Sequence, residues 1–290
     1  MIHPIFLHVI LALLPVALSG QGPLDGFLKG KGALDLAPSI SFNSARNFAG
    51  AGGRTFPIAY KGSMISLFAE YGLSRRVDLV ATAAYVFTSN RSGLQDGGIF
   101  LKYRPLRLAL NGAGQIDLLL GSGLGFPLAN YAPAESGALG QKALILPARI
   151  LVQWQTPPGL FFLLAGGYNV RFDRLHENDV AAIRKLRPDY TPTQPANFSS
   201  LLLKAGFPTA RYYLDAWLEW QHTRAGSDFL PGQPDLPQSF GVSYTQAGGT
   251  LFYSETGKNG FFISGGYIFS GRNANRLLRL TAGMVFKFSL

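Results

Sequence analysis

The 290-residue chain has no cysteine. A disulfide scaffold, an iron–sulfur or thiolate-zinc site, a catalytic thiol and a lipid-modified N-terminal cysteine are therefore excluded. Charge is scarce: Asp, Glu, Lys and Arg make up 14% of residues, against ~25% in typical soluble domains. Long apolar runs are missing beyond the N-terminus, where none reaches the ~18 residues a membrane-spanning helix needs. No Walker loop, nucleophile elbow or metal-ligand cluster appears. What is present is 47% hydrophobic residues, 22 Phe, 12 Tyr, 35 Gly and a formal charge of +10. That apolar content excludes disorder. The combination to explain is low charge and many aromatics without a spanning helix.

Residues 5–18, IFLHVILALLPVAL, form an apolar run followed by the small residues Ala17, Ser19 and Gly20. This is the anatomy of a secretory signal peptide over residues 1–20, although its start carries no Lys or Arg. A mature chain of residues 21–290 keeps two histidines, His176 and His222.

The mature chain alternates with a period of two, the signature of strands. Leu144, Leu146, Ala148, Ile150, Val152 and Trp154 interleave with Ile145, Pro147, Arg149, Leu151, Gln153 and Gln155. The pattern predicts about twelve strands, at 33–42, 63–73, 77–88, 97–108, 115–127, 142–156, 160–172, 198–207, 211–224, 241–254, 261–271 and 277–290. The alternation slips at Gly248 and Gly249, which suggests a bulge there. Connections after the second, fourth, sixth, eighth and tenth strands are short and turn-forming. Those at 43–62, 89–96, 128–141, 173–197 and 225–240 are mostly longer. Such sorting is expected of an all-β, antiparallel up-and-down transmembrane barrel in the outer membrane, with short periplasmic turns and longer extracellular loops. Tyr71, Tyr85, Tyr103, Trp154, Tyr168, Trp220, Tyr267, Phe286 and Phe288 fall on the apolar faces, where barrels carry aromatic girdles.

The last strand holds Thr281, Gly283, Phe286 and Phe288. This resembles the C-terminal signal read by the barrel assembly machinery, an expected partner, except that Ser289 and Leu290 follow the final aromatic. The segments GFLKGKGALDL (26–36), SLFAEYGLSRRVDL (66–79) and GGIFLKYRPL (97–106) resemble Bacteroidetes-type outer-membrane barrels grouped with the meta-pathway phenol-degradation proteins. Those are broadly akin to fatty-acid-transporter-like channels. The resemblance implies a channel for small hydrophobic or aromatic solutes. Only about ten residues separate the signal segment from the first strand, so a sizeable N-terminal hatch is not expected.

The polar faces define a lumen. They carry Asp35, Glu70, Asp78, Asp117, Asp215 and Glu219 against Lys102, Arg104, Arg149, Arg171, Lys204, Arg211, Arg279 and Lys287. Two readings stay open: a salt-bridged, filled interior in a structural or surface-interaction barrel, or a water-filled, mildly basic channel for passive diffusion. Gly121, Gly123, Gly125, Gly167 and Gly266 leave space either for solute or for a large neighbour such as Phe100 or Trp217. Within loop 173–197, NDVAAIRKLRPD (178–189) suggests a short helix, with Asn178 as a cap and Val180, Ile183 and Leu186 on one face. A lipid hydrolase would need an outward His with a Ser two residues away. His222 faces outward, but Arg224 occupies that position, which favours an interfacial role and a non-enzyme. The positive charge fits lipopolysaccharide and other outer-membrane lipids, with a small-molecule solute as cargo and no nucleic acid. No metal or other cofactor is expected.

Overall fold

A computed structural model describes residues 25–89, 91–131, 142–172, 177–232, 235–257 and 259–290. The expected signal segment, His176 and most of loop 128–141 lie outside the described residues. The described chain is a closed barrel of twelve long strands. They are β1 (Ala33–Ala49), β2 (Tyr60–Gly72), β3 (Val77–Thr88), β4 (Asp96–Leu110), β5 (Gly114–Pro127) and β6 (Ile145–Gln155). After β7 (Phe161–Arg171) comes one helix, α1 (Glu177–Leu186). The wall is completed by β8 (Phe198–Pro208), β9 (Tyr212–His222), β10 (Ser243–Tyr253), β11 (Gly260–Arg272) and β12 (Ala274–Ser289).

Each strand pairs antiparallel with its sequence neighbours, and β12 closes on β1 from Ala33 opposite Ser289 to Ala49 opposite Ala274. Closure leaves the twelve-stranded wall without a free edge strand among the described residues, which a lipid environment demands because it offers backbone groups no hydrogen-bond partner. The outward residues are apolar around the whole circumference. Phe42, Ile150, Leu214, Phe261 and Ile263 are each more than half exposed. An apolar surface of this extent suits lipid, not water. Among the described residues no helix is long and apolar enough to cross a membrane; the strands do the crossing. The aromatics form two belts. Tyr71, Trp154, Phe162, Tyr212, Tyr253 and Phe288 lie toward the turns, and Tyr85, Tyr168, Trp220 and Tyr267 toward the loops.

Three local departures from the expected pattern have physical causes. β1 runs on to Ala49 instead of ending near residue 42, because Phe48 and Ala49 pair with a two-residue strand at Thr55–Phe56. The register passes unbroken through Gly248 and Gly249, opposite Gly266 and Gly265; the extra residue sits on the neighbouring strand, where Thr245 faces Ser270 and Gln246 faces Ile268. Paired glycines disguised an intact ladder as a slip, since neither carries a side chain to mark its face. The third is a register shift in β4 between Tyr103 and Leu106. Pro105 lies there, where its missing N–H costs nothing. The shift keeps Leu106 and Leu108 outward and turns Arg107 to the lumen side, opposite Asp117.

The helix begins at Glu177, so Asn178 lies inside its first turn and is not the cap. Val180 and Ile183 pack on Tyr190 and Leu236 as the periodicity predicts, but Leu186 is exposed.

Candidate functional site

The register places like charges side by side near the turn end of the lumen. Asp35 lies opposite Glu70 on the β1–β2 ladder, and Asp78 lies opposite Lys102 on the β3–β4 ladder. Three neighbouring carboxylates and one lysine would be unstable without further cations. Residues 25–32 supply the balance by folding back into the barrel. Lys29 Nζ lies 2.9 Å from Asp35 and 3.3 Å from Glu70, and its backbone N–H donates to Asp78 Oδ2 at 2.8 Å. Lys102, fully buried, donates to Asp25 Oδ1 at 2.7 Å, to the Glu70 carboxylate and to the carbonyl of Phe27. Burial works against the charge of Asp25, but Lys102 and Lys29 outweigh it and hold the carboxyl well below the usual aspartate range. Burial likewise opposes the charge on Lys29, yet Asp25, Glu70 and Asp35 raise its ammonium above the ordinary value.

The segment is also packed. The Phe27 ring sits edge-on to Phe161, with centroids 5.1 Å apart, and to Tyr213 at 6.4 Å. Behind it, inward side chains of β3 to β9 form an apolar core inside the barrel: Val80, Phe100, Leu119, Leu151, Leu163 and Leu202, with Phe161 and Trp217. No sizeable N-terminal hatch appears among the described residues, but a short N-terminal element narrows the lumen. Eight residues suffice, because they run across the bore instead of building a domain.

The remaining lumen charges are distributed as follows. Arg107 makes two bonds of 2.6 Å to Asp117, and Arg104 lies 3.6 Å from the same carboxylate. Lys204 pairs with Asp215 at 3.0 Å, and Tyr213 Oη donates to Asp215 Oδ2 at 2.7 Å. Glu219 accepts from Gln246 Nε2 at 2.9 Å, and Arg279 donates to Asn43 at 2.8 Å. Arg149 faces the lumen one ladder position from Lys102, the two flanking Gly121. Arg171 lies at the loop end of β7, where its backbone N–H donates to Asn197. Lys287 is exposed at the turn-end rim, its ammonium 5.3 Å above the Phe252 ring. Arg211 is exposed in the β8–β9 turn and does not line the wall.

One side of the turn-end half stays open. A cavity of ≈ 560 Å³ runs along β1, β2 and β8 to β12, beside the N-terminal segment. The hydroxyls of Ser39, Ser41, Ser66, Thr250, Ser264 and Thr281 form one strip of its wall. Phe68, Tyr213, Trp217, Phe252 and Phe262 supply rings, and Lys204 and Arg279 supply charge. Toward the loops the same side narrows against Tyr244, Ile268 and Leu277. Above them Phe229 and Phe240 of the 225–242 connection pack on inward-facing Phe48. Asn273 holds that connection down. Its Oδ1 accepts from the Phe229 N–H, and its Nδ2 donates to Ser227, Asp228 and Gly241 oxygens at 3.0 to 3.1 Å.

Several glycines serve packing, not solute. A methyl at Gly123 would fall 2.5 Å from the Phe100 ring, and one at Gly266 would fall 2.9 Å from the Trp217 indole. At the C-terminus, Thr281 is bonded to Ser41 at 2.8 Å, Gly283 accommodates Phe262, and Phe286 and Phe288 point outward. His222 is exposed on the outer face, as expected. Ser199 stands directly across from it on β8, a neighbour invisible in the linear sequence. Its Oγ donates to the His222 carbonyl at 3.3 Å, not to the imidazole.

No protein-family model matches the chain, and no curated protein matches it. Solved structures do. An outer-membrane channel from Pseudomonas putida F1 superposes with a TM-score of 0.67 at 14% identity, covering 91% of this chain and 99% of that one. The NanC porin superposes at 0.56 with 12% identity, covering 87% and 100%. At such identities the likeness concerns the fold: this chain has the architecture of the outer-membrane β-barrels.

Proposed function

We propose that the protein is an outer-membrane channel through which small solutes pass by passive diffusion. The observation that carries this reading is the ≈ 560 Å³ cavity at the turn end, a size typical of sites for small organic molecules. A hydroxyl strip facing aromatic rings suits amphipathic cargo, aromatic compounds included, in keeping with the resemblance to phenol-degradation and fatty-acid-transporter-like barrels of Bacteroidetes type. The cargo crosses beside the N-terminal segment, which narrows the bore. Export by the segment at 1–20 and insertion by the assembly machinery through Thr281, Gly283, Phe286 and Phe288 belong to the same reading. Purified barrel in planar bilayers should conduct, and liposomes carrying it should take up small solutes. A folded sample that shows no conductance and no uptake would refute the channel.

A second reading, a structural barrel with a filled lumen, draws support from the buried Lys102 cluster and the packed Phe27. The same recordings separate the two. A lipid hydrolase is disfavoured by the Ser199 hydroxyl bonding to a carbonyl instead of the imidazole. Acyl hydrolysis that disappears in His222→Ala would overturn that view.

A further inference from the structure

The outer face carries one feature that neither lumen nor girdle uses. Near the loop end of β1 and β12, the register jumps from Ala45 opposite Leu277 to Phe48 opposite Asn275. Two residues of β1, Arg46 and Asn47, therefore face the single residue Arg276 of β12. Both β1 residues are exposed, while their neighbours Ala45 and Phe48 are buried toward the lumen. Such a bulge turns consecutive side chains to one side of the sheet. One step toward the turns, Ser44 lies between Leu278 on β12 and Lys61 on β2, and Lys61 is exposed. Three cations from three adjacent strands thus share one patch of outer wall.

Among the described residues, Arg46, Lys61 and Arg276 have no ion pair. Arg276 Nε is shut off from solvent without a hydrogen-bond partner. A buried donor of this kind costs stability unless something meets it. No carboxylate stands on the facing positions: Ser44, Asn47 and Leu278 complete the rows. Immediately toward the turns begins the apolar band, with Ile40, Phe42, Ile65, Leu278 and Leu280 all exposed.

We propose that this patch is a binding site for a phosphorylated lipid of the loop-side leaflet. Its headgroup phosphates are held by Arg46, Lys61 and Arg276, and its acyl chains lie on Ile40, Phe42, Leu278 and Leu280. The guanidinium forks of two arginines match phosphate oxygens, and Lys61 adds a point charge. Arg46 keeps the outward parity of Phe42 and Ser44, Arg276 that of Leu278, and the bulge adds Asn47 on the same side, spreading the patch over the two strands. The inference rests on a membrane around the outer wall but not on an open lumen, so a barrel that fails to conduct leaves it standing.

The test uses the full barrel in detergent and native mass spectrometry with bis-phosphorylated lipid A, its dephosphorylated form and a zwitterionic phospholipid. Wild-type protein should retain lipid A, and Arg46→Gln/Lys61→Gln/Arg276→Gln should weaken retention on the order of 10- to 100-fold, the scale expected for three cations at an anionic surface. Dephosphorylated lipid A should bind weakly to both. A control variant, Arg75→Gln/Arg76→Gln at the turn end, should bind like wild type, and heat-modifiable migration should confirm folding of every variant. Equal retention by wild type and the triple variant, or equal retention of dephosphorylated lipid A, overturns the proposal.

Discussion

Replacing Lys102 by methionine isolates what the N-terminal segment and its charge cluster contribute. The wild-type ammonium has no exposure and is shared among Glu70, Asp78 and Asp25. Methionine conserves much of the volume, so the loss is electrostatic. Breaking a buried ion pair from one side costs roughly 3–5 kcal/mol, because the abandoned carboxylates stay desolvated. Here two features lower the cost. Lys29 Nζ remains 3.3 Å from Glu70, and the Lys29 N–H remains on Asp78. Asp25 is also partly open to water, with 40% of its side chain exposed. The expected loss is therefore near the lower limit, about 3 kcal/mol. With a urea dependence of about 3 kcal/mol per molar, the unfolding midpoint in lipid vesicles should fall by about 1 M. Tryptophan fluorescence reports the transition. Adding Glu70→Gln to Lys102→Met removes one stranded charge and should restore a large part of the loss, leaving a coupling of about 1–3 kcal/mol in the double-mutant cycle. The single variant should also conduct more than wild type, since Phe27 loses the ammonium that holds its carbonyl. A midpoint unchanged within about 0.5 kcal/mol, or a double variant no better than the single, would refute this account of the cluster.

Other consequences are testable by similar means. Asp25 has a depressed folded-state value, so its own contribution to the anchoring is complete at every pH above the ordinary aspartate value of 3.8 and is lost only as pH falls below that, through the lowered value; Asp25→Asn should thus lower the urea midpoint as much at pH 5 as at pH 7, and a cost that vanishes at pH 5 would count against the anchor. A methyl at Gly248 would sit 2.8 Å from Trp217 Cε2, whereas Gly166 has open space, so Gly248→Ala should lower stability by about 1–3 kcal/mol and Gly166→Ala should not, as read by urea midpoints. Asn273 has φ +52, which glycine tolerates, so Asn273→Gly keeps the backbone but removes the bonds to the 225–241 connection. That connection should then be cut faster by protease in intact barrels, and an unchanged cleavage rate would mean that Asn273 does not hold it.

Much of the wall was legible in the residues. Period-two alternation located all twelve strands, because a barrel in lipid needs one apolar face in every strand, and that constraint is written locally. Alternation also explains the composition: apolar residues appear one in two, so no window looks like a spanning helix. The same parity placed Glu70, Lys102, Asp117, Lys204, Asp215 and Glu219 in the lumen, where the structure has them. Parity fails wherever a bulge intervenes, which is why Arg107 was not expected inside, although Pro105 was a visible warning. Paired glycines carry no parity information, and the bulge was accordingly assigned to Gly248 and Gly249 instead of the strand beside them.

What local pattern could not decide was pairing across long separations. Whether the lumen is full or open depends on where Phe100 and Trp217 meet glycines of other strands. Narrowing of the turn end depends on Asp25 reaching Lys102 and on Phe27 reaching Phe161. The cation patch depends on Arg46, Lys61 and Arg276 meeting through register. The sequence by itself determined that the chain would cross a membrane as strands and which face of each would meet lipid, because those follow from neighbours along the chain. Only the tertiary structure decided what fills the bore, because charges and rings far apart in sequence are brought together by closure of the barrel.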